Sequence, residues 1–202
     1  MWMLLSRRAQ VMMMVGLTIT ALLGLQQTYQ LLNTAVPTPF ALSSTIVFVI
    51  GTILVVIANF CWRHLWRWFP FLGKVLFPDL NGAWRGALKT TWKDANGQSP
   101  DPITVTIRIR QTLFSFSVQL ETQESRSWSV HVIAEANPDA GRFRLWYSYS
   151  NQPRAEFLHR STVHDGVAIL EIVPDIDTSV ITGHYYTARK TSGDIDVRRV
   201  ES

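Results

Sequence analysis

The chain has 202 residues, 47% of them hydrophobic and only 17% charged, with a mean hydropathy of +0.09. That balance excludes a disordered, coiled-coil or collagen-like chain, none of which carries this much apolar and aromatic content. Eight Trp and ten Phe need burying, and a single Cys excludes a disulfide framework and any zinc site built from cysteine pairs.

The net charge of +4 is unevenly spread. Arg7, Arg8, Arg63, Arg67 and Lys74 are the basic residues of the first 78 positions, which hold no acidic residue at all. Beyond them, 14 of the 19 basic residues face all 15 acidic ones. The basic character therefore belongs to the N-terminal third. The near-neutral remainder is a poor grip for a long nucleic acid by bulk charge.

Between Arg8 and Arg63 there is no Asp, Glu, Lys, Arg or His. The run divides at Asn33-Thr-Ala-Val-Pro-Thr-Pro39, a turn-forming stretch with two prolines. We read residues 1–8 as a cytoplasmic N-terminus, 9–32 and 40–62 as two transmembrane helices, and 33–39 as a short extracytoplasmic loop. Each apolar run exceeds the roughly 20 residues needed to cross a bilayer core of about 30 Å. So short a loop makes an antiparallel hairpin. Arg7 and Arg8 before it and Arg63, Arg67 and Lys74 after it put both chain ends in the cytoplasm by the positive-inside rule. The alternative for the first run is a signal peptide, with Val11–Leu25 as its apolar region, but no convincing small-x-small cleavage site follows before the second apolar run.

Gly16, Thr20 and Gly24 recur every fourth residue, the small-residue stripe that lets helix backbones approach closely in lipid. Either the stripe packs within the hairpin or it meets a helix of another copy. Gln26, Gln27 and Gln30 offer amides that bond to a partner helix or to interfacial water. Residues 63–78 interleave Trp and Phe with Arg and Lys, a composition suited to the headgroup layer as a juxtamembrane collar.

From residue 79 to 202 the apolar period becomes two. Ile103, Val105, Ile107 and Ile109 alternate with Thr104, Thr106, Arg108 and Arg110. Phe114, Phe116, Val118 and Leu120 follow suit, then Trp128, Val130, Val132 and Ala134, then Phe143, Leu145, Tyr147 and Tyr149. Turn signals are read at Asp94–Gly97, Asn137–Gly141, Asn151–Pro153, His164–Gly166 and Thr191–Gly193. The expected fold is an all-β, antiparallel, up-and-down, lipocalin-like barrel of about eight strands, closed so that no edge is exposed. In Gly82-x-Trp84 the indole is expected to plug its floor.

No catalytic constellation emerges. The chain lacks a nucleophile elbow, a His-Glu-x-x-His helix and a phosphate-binding Gly-rich loop. His159 and His164 flank an expected hairpin and offer two imidazoles to a metal, but read equally as surface turn residues; Asp175 and Asp177 read as a solvated loop. Polar and aromatic groups do collect near strand ends, at Tyr147-Ser-Tyr149-Ser-Asn151-Gln-Pro153 and Gly183-His-Tyr-Tyr-Thr-Ala-Arg189. Rings stack on bases, Arg forks to phosphate, and Asn or Thr bonds to base edges or ribose. The same tyrosines also serve as barrel core or rim, and Arg108 and Arg110 as an exposed strand face.

Two apolar helices ahead of Pro78-Asp-Leu-Asn-Gly-Ala-Trp-Arg-Gly86, then Trp92, Tyr147-x-Tyr-x-Asn-x-Pro153, His164-Asp-Gly166, Gly183-x-Tyr-Tyr-Thr-x-Arg189 and Gly193, span nearly the whole chain. This arrangement resembles the two-helix β-barrel effectors of CBASS, the bacterial cyclic-oligonucleotide antiphage signalling system. The resemblance implies a receptor rather than an enzyme, with no cofactor. A partner nucleotidyltransferase (CD-NTase) supplies a cyclic dinucleotide; the barrel binds it, the protein self-associates in the inner membrane, and the helices disrupt the bilayer. On that reading Tyr147, Tyr149, Tyr185 and Tyr186 are candidates for base stacking, with at most one of the adjacent pair facing inward. Arg189, Arg108 and Arg110 are candidates for phosphate, and Asn151 and Thr187 for base edge or ribose. A membrane-tethered lipocalin-like carrier is the alternative, resting on Gly82-x-Trp84 and an apolar lumen; a constitutive anchor recruiting a protein partner is a third.

Overall fold

A computed structural model describes residues 4–35, 37–93, 96–173 and 177–200. Asp175, and Asp94 and Ala95 of the first expected turn, lie outside the described residues.

The apolar N-terminal third forms α1 (Arg7–Leu31) and α2 (Pro39–Val56). Each starts on a side-chain cap, Ser6 accepting from the Ala9 amide at 3.2 Å and Thr38 from the Ala41 amide at 3.4 Å. Pro39 occupies the first turn of α2, where no amide proton is needed. The helices pack on each other, Ile46 and Ile50 being buried one turn apart on α2. A π-helical turn (Ile57–Cys61) carries α2 into α3 (Trp62–Trp68), and α4 (Phe71–Val75) follows. Both apolar helices, Arg7–Leu31 and Phe40–Trp68, are long and apolar enough to cross a membrane.

Eight strands follow: β1 (Gly82–Thr90), β2 (Ile103–Gln111), β3 (Phe116–Thr122), β4 (Ser125–Asn137), β5 (Arg142–Pro153), β6 (His164–Ile172), β7 (Val180–Thr187) and β8 (Ser192–Arg199). Each pairs antiparallel with its sequence neighbours, and β8 returns to β1, so the sheet is a closed up-and-down barrel. The period-two reading holds in β2, where Val105, Ile107 and Ile109 are buried, and in β5, where Phe143, Leu145, Tyr147 and Tyr149 are buried.

Two details differ from the sequence expectation. In β4 a bulge between Ser129 and His131 inserts a residue and flips the alternation. Trp128 and Val130 therefore lie outside, 44% and 62% exposed, while Val132 and Ala134 pack against the core. The stretches read as turns at Asn151–Pro153, His164–Gly166 and Thr191–Gly193 lie largely within β5, β6 and β8. Their glycines are strand residues. A Cβ on Gly166 would strike the Tyr149 ring, and one on Gly193 the Tyr185 ring, so each tyrosine lies flat across the glycine paired with it.

The helix end of the barrel is plugged. Trp84 is fully buried, donates from Nε1 to Leu80 O at 3.0 Å, and carries the Arg199 guanidinium 4.5 Å above its ring. Phe77 meets Phe116 and Phe143 edge to face at 5.3 and 5.5 Å. Trp62 is buried and Trp66 donates to Phe77 O at 2.8 Å. The expected collar is thus divided: Trp66 turns into the barrel end, together with Trp62 at the close of the second apolar run, while Trp68, Phe69 and Phe71 remain exposed. The buried Gln111 side chain accepts from the Leu80 amide at 2.7 Å and donates to Pro78 O at 3.1 Å, so both polar atoms of its amide are paired in this seam.

Candidate functional site

The far end is built from the distal halves of the same strands. β1 and β7 finish there, as does β5, while β6 and β8 begin there. Facing inward are Tyr149 and Asn151 of β5, His164 and Gly166 of β6, and Tyr185 and Thr187 of β7, with Gly193 of β8. Register brings Tyr149 opposite Gly166, Gly166 opposite Thr187, and Tyr185 opposite Gly193. Asn151 lies opposite Ser127, and both are buried.

The strand positions beside the rings are held by small residues. Tyr147 pairs across the sheet with Ala168, and Ala168 with Tyr185. The volume those small residues vacate is occupied by phenol rings. Tyr147 and Tyr149 stand 6.0 Å apart at a tilt of 51°. Burial pushes the Tyr149 phenol up to about 12, with the neighbouring Tyr185 adding to the rise and Arg189 opposing it. Burial also raises Tyr185, and raises Tyr147 further still. All three phenols stay protonated at neutral pH and so carry a proton to donate.

Arg189, in the β7–β8 turn, is held at the rim. Its guanidinium donates to Ser161 Oγ at 3.0 Å and lies 3.4 Å from His164 Nε2. His164 Nδ1 is 2.9 Å from Thr162 O, a carbonyl that only accepts. The proton therefore sits on Nδ1, and Nε2 presents a lone pair to Arg189. Burial, with Arg189 alongside, lowers the His164 pKa, against an opposing contribution from the Thr162 carbonyl. A neutral imidazole is what this contact requires. The result is a cation steered over a ring-lined mouth.

Of the residues singled out by sequence, the fold brings together Tyr149, Asn151, Tyr185, Thr187 and Arg189 at this end, with Tyr147 one inward step deeper. It does not bring Arg108, Arg110 or Tyr186. Arg108 and Arg110 point outward from β2 because Ile107 and Ile109 take the inner face. Arg108 is bonded to Glu121 at 3.1 Å, and the same carboxylate meets Arg126 at 2.7 Å. Those hydrogen bonds, Arg126 first, hold Glu121 below the usual carboxylate range. Tyr186 is 53% exposed on the outer wall, its neighbour Tyr185 having the inward position. The phase of Ile181 and Gly183 along β7 already selects Tyr185.

Sequence reading missed the residues that orient others: Gly166 and Gly193 beneath the rings, and His164 and Ser161 behind Arg189. His159 is turned onto its own loop, Nδ1 lying 2.9 Å from Glu156 O. Among the described residues no cluster of three metal-ligating side chains occurs. On α1, a Cβ at Gly16 or Gly24 would meet nothing within 4 Å, so the small-residue stripe is not packed within the hairpin.

Comparison with known proteins covers the barrel and its approach. A family model described as "Cap15, cyclic dinucleotide receptor domain" matches residues 75–199. The chain is also similar to the "CD-NTase-associated protein 15" of Staphylococcus schleiferi, 24% identical over 139 residues, 69% of this chain and 70% of that one.

Proposed function

We propose, on the premise that this chain belongs to the Cap15 cyclic dinucleotide receptor domain family, that the far end of its barrel is the receptor site and that its two helices convert binding into membrane damage. The observation that carries this reading is the rim itself: inward rings of Tyr149 and Tyr185, backed by glycine, beneath one oriented guanidinium, Arg189. Planar bases stack on the rings, Arg189 pairs with a phosphate, and Asn151 and Thr187 bond to base edge or ribose. Arg108, Arg110 and Tyr186 are left out of this site. The signal is a cyclic dinucleotide made by a partner CD-NTase, and the chain acts as a CBASS effector rather than an enzyme.

The helices lie in the bacterial inner membrane with both chain ends cytoplasmic. The unpacked Gly16–Thr20–Gly24 face of α1 then serves contacts between copies once ligand binding gathers the barrels. The filled lumen weighs against the carrier alternative, because Trp84, Phe143, Leu145, Ile107 and Ile172 occupy the space a lipid tail needs.

The test is dye release from vesicles reconstituted with the full chain and challenged with cyclic dinucleotides. Release triggered by one nucleotide, and abolished by Gly16→Leu while nucleotide binding persists, supports both halves of the reading. Binding without release removes the membrane-damage half. Absence of binding removes the receptor half.

A further inference from the structure

Among the described residues, the upper lumen contains one buried side-chain polar atom that the fold leaves without a partner. Tyr147 is 2% exposed, and its hydroxyl is buried with no hydrogen bond. Among the described residues, the other buried unpartnered side-chain atoms are the Nε of Arg142 and of Arg144, whose guanidinium groups are both paired with Glu171. Tyr147 has no such compensation. Across the sheet it faces Ala168, which has nothing to offer a hydroxyl. The next phenol outward, Tyr149, reaches Tyr186 O at a long 3.5 Å.

An unpaired buried hydroxyl destabilises the state that contains it, whereas phenylalanine would fill the same space without that cost. A tyrosine here is explained by a second state in which its proton is accepted. Tyr147 stands one inward position below Tyr149 on β5, the two rings 6.0 Å apart, and Tyr149 is the one that feels the Arg189 charge. A phosphate brought this deep would shed its water for a single neutral donor, so it stays at the rim with Arg189. A nucleobase is different: it is flat, largely apolar, and carries acceptors on its edge.

We propose that the Tyr147 hydroxyl donates a hydrogen bond to an acceptor on the edge of a base, a carbonyl oxygen or ring nitrogen, when that base parts the Tyr149 and Tyr185 rings. This inference rests on the receptor reading above and makes Tyr147 a determinant of which base is accepted. It revises the stacking role expected for Tyr147 from sequence, since a ring this deeply buried has no free face at the mouth.

The experiment is Tyr147→Phe in the full chain in detergent micelles, read in two ways. Calorimetric titration uses cyclic di-AMP, cyclic di-GMP, cyclic di-UMP and cyclic GMP–AMP, each against wild type and variant. Thermal unfolding is followed without nucleotide. The expected result is an affinity about tenfold weaker for whichever nucleotide wild type prefers, with discrimination among the four reduced, and an unfolding midpoint that is unchanged or higher. Equal affinity of wild type and variant overturns the inference while leaving the receptor reading intact. A lowered midpoint also overturns it, because the hydroxyl then has a partner in the ligand-free protein. Failure of wild type to bind any of the four removes the reading on which the inference stands.

Discussion

At the helix end the inner wall carries Trp84, Phe143, Ile172 and Val197, closed off by Phe77, Leu80 and Trp62, and the buried amide of Gln111 is paired on both sides. At the far end the same strands carry Tyr149, Asn151, Tyr185 and Thr187, with glycine beneath two of the rings and a deeper hydroxyl left unpaired. Inside the barrel, the polar groups of the floor are paired and the Tyr147 hydroxyl near the mouth is not. Stability is concentrated where the helices join, so α3 is fastened to the barrel floor through Trp62, Trp66 and the Arg63–Asp79 ion pair at 2.9 Å. That exposed pair adds at most about 1 kcal/mol; the ring burial does the fastening. A floor so firmly packed is a poor hinge. Under the proposed function, a signal at the mouth would reach the helices by gathering whole barrels rather than by swinging the linker.

Five substitutions test this contrast. The largest effect is expected at the plug. Trp84→Ala removes a fully buried indole, its hydrogen bond to Leu80 O and the platform beneath Arg199. It should cost about 3–5 kcal/mol in denaturant unfolding of the full chain. A loss below about 1 kcal/mol would show that the floor does not hold the barrel. At the mouth the balance reverses. Arg189→Ala should leave unfolding within about 0.5 kcal/mol of wild type yet weaken cyclic dinucleotide binding by about 1.5–3 kcal/mol. Arg108→Ala, which cuts an outer-wall ion pair, should leave binding unchanged. Equal losses from the two arginines would mean the ligand is not at this end.

Gly166→Ala drives a methyl group into the Tyr149 ring and the Tyr186 carbonyl. We expect about 1–3 kcal/mol of destabilisation from the overpacking, with weaker nucleotide binding because the ring is displaced. The smallest effect concerns His164. Its pKa is lowered in the folded protein, so as pH falls through the ordinary value of 6.5 the unfolded chain takes up the proton first. The stability contributed by the neutral ring is fully present above that value and is lost as pH drops toward the folded pKa. His164→Gln should therefore flatten the change in unfolding midpoint between about pH 7.5 and pH 5.5. An unaltered slope would place that dependence elsewhere.

The barrel was legible because β2 and β5 alternate without interruption and the intervals between strands are short. β4 was not, since a one-residue bulge changes which face Trp128 and Val130 occupy and leaves no mark in composition. Gly166 and Gly193 look like turn residues in any short window; their role as seats for Tyr149 and Tyr185 exists only once strands distant in sequence are paired. Arg108 and Arg110 were decidable from the start, because the isoleucines beside them claim the inner face. Arg199 was not: it reaches Trp84 and Asn81 from the opposite end of the barrel sequence. Local patterning thus reveals the wall, while the mouth depends on closure.

The most direct measurement is a calorimetric titration of the full chain in micelles with cyclic dinucleotides, wild type beside Arg189→Ala and Arg108→Ala. The account predicts saturable binding of one nucleotide per barrel, lost with Arg189 and kept without Arg108. A folded protein that binds none of them, or that loses binding with Arg108 and not with Arg189, would contradict it.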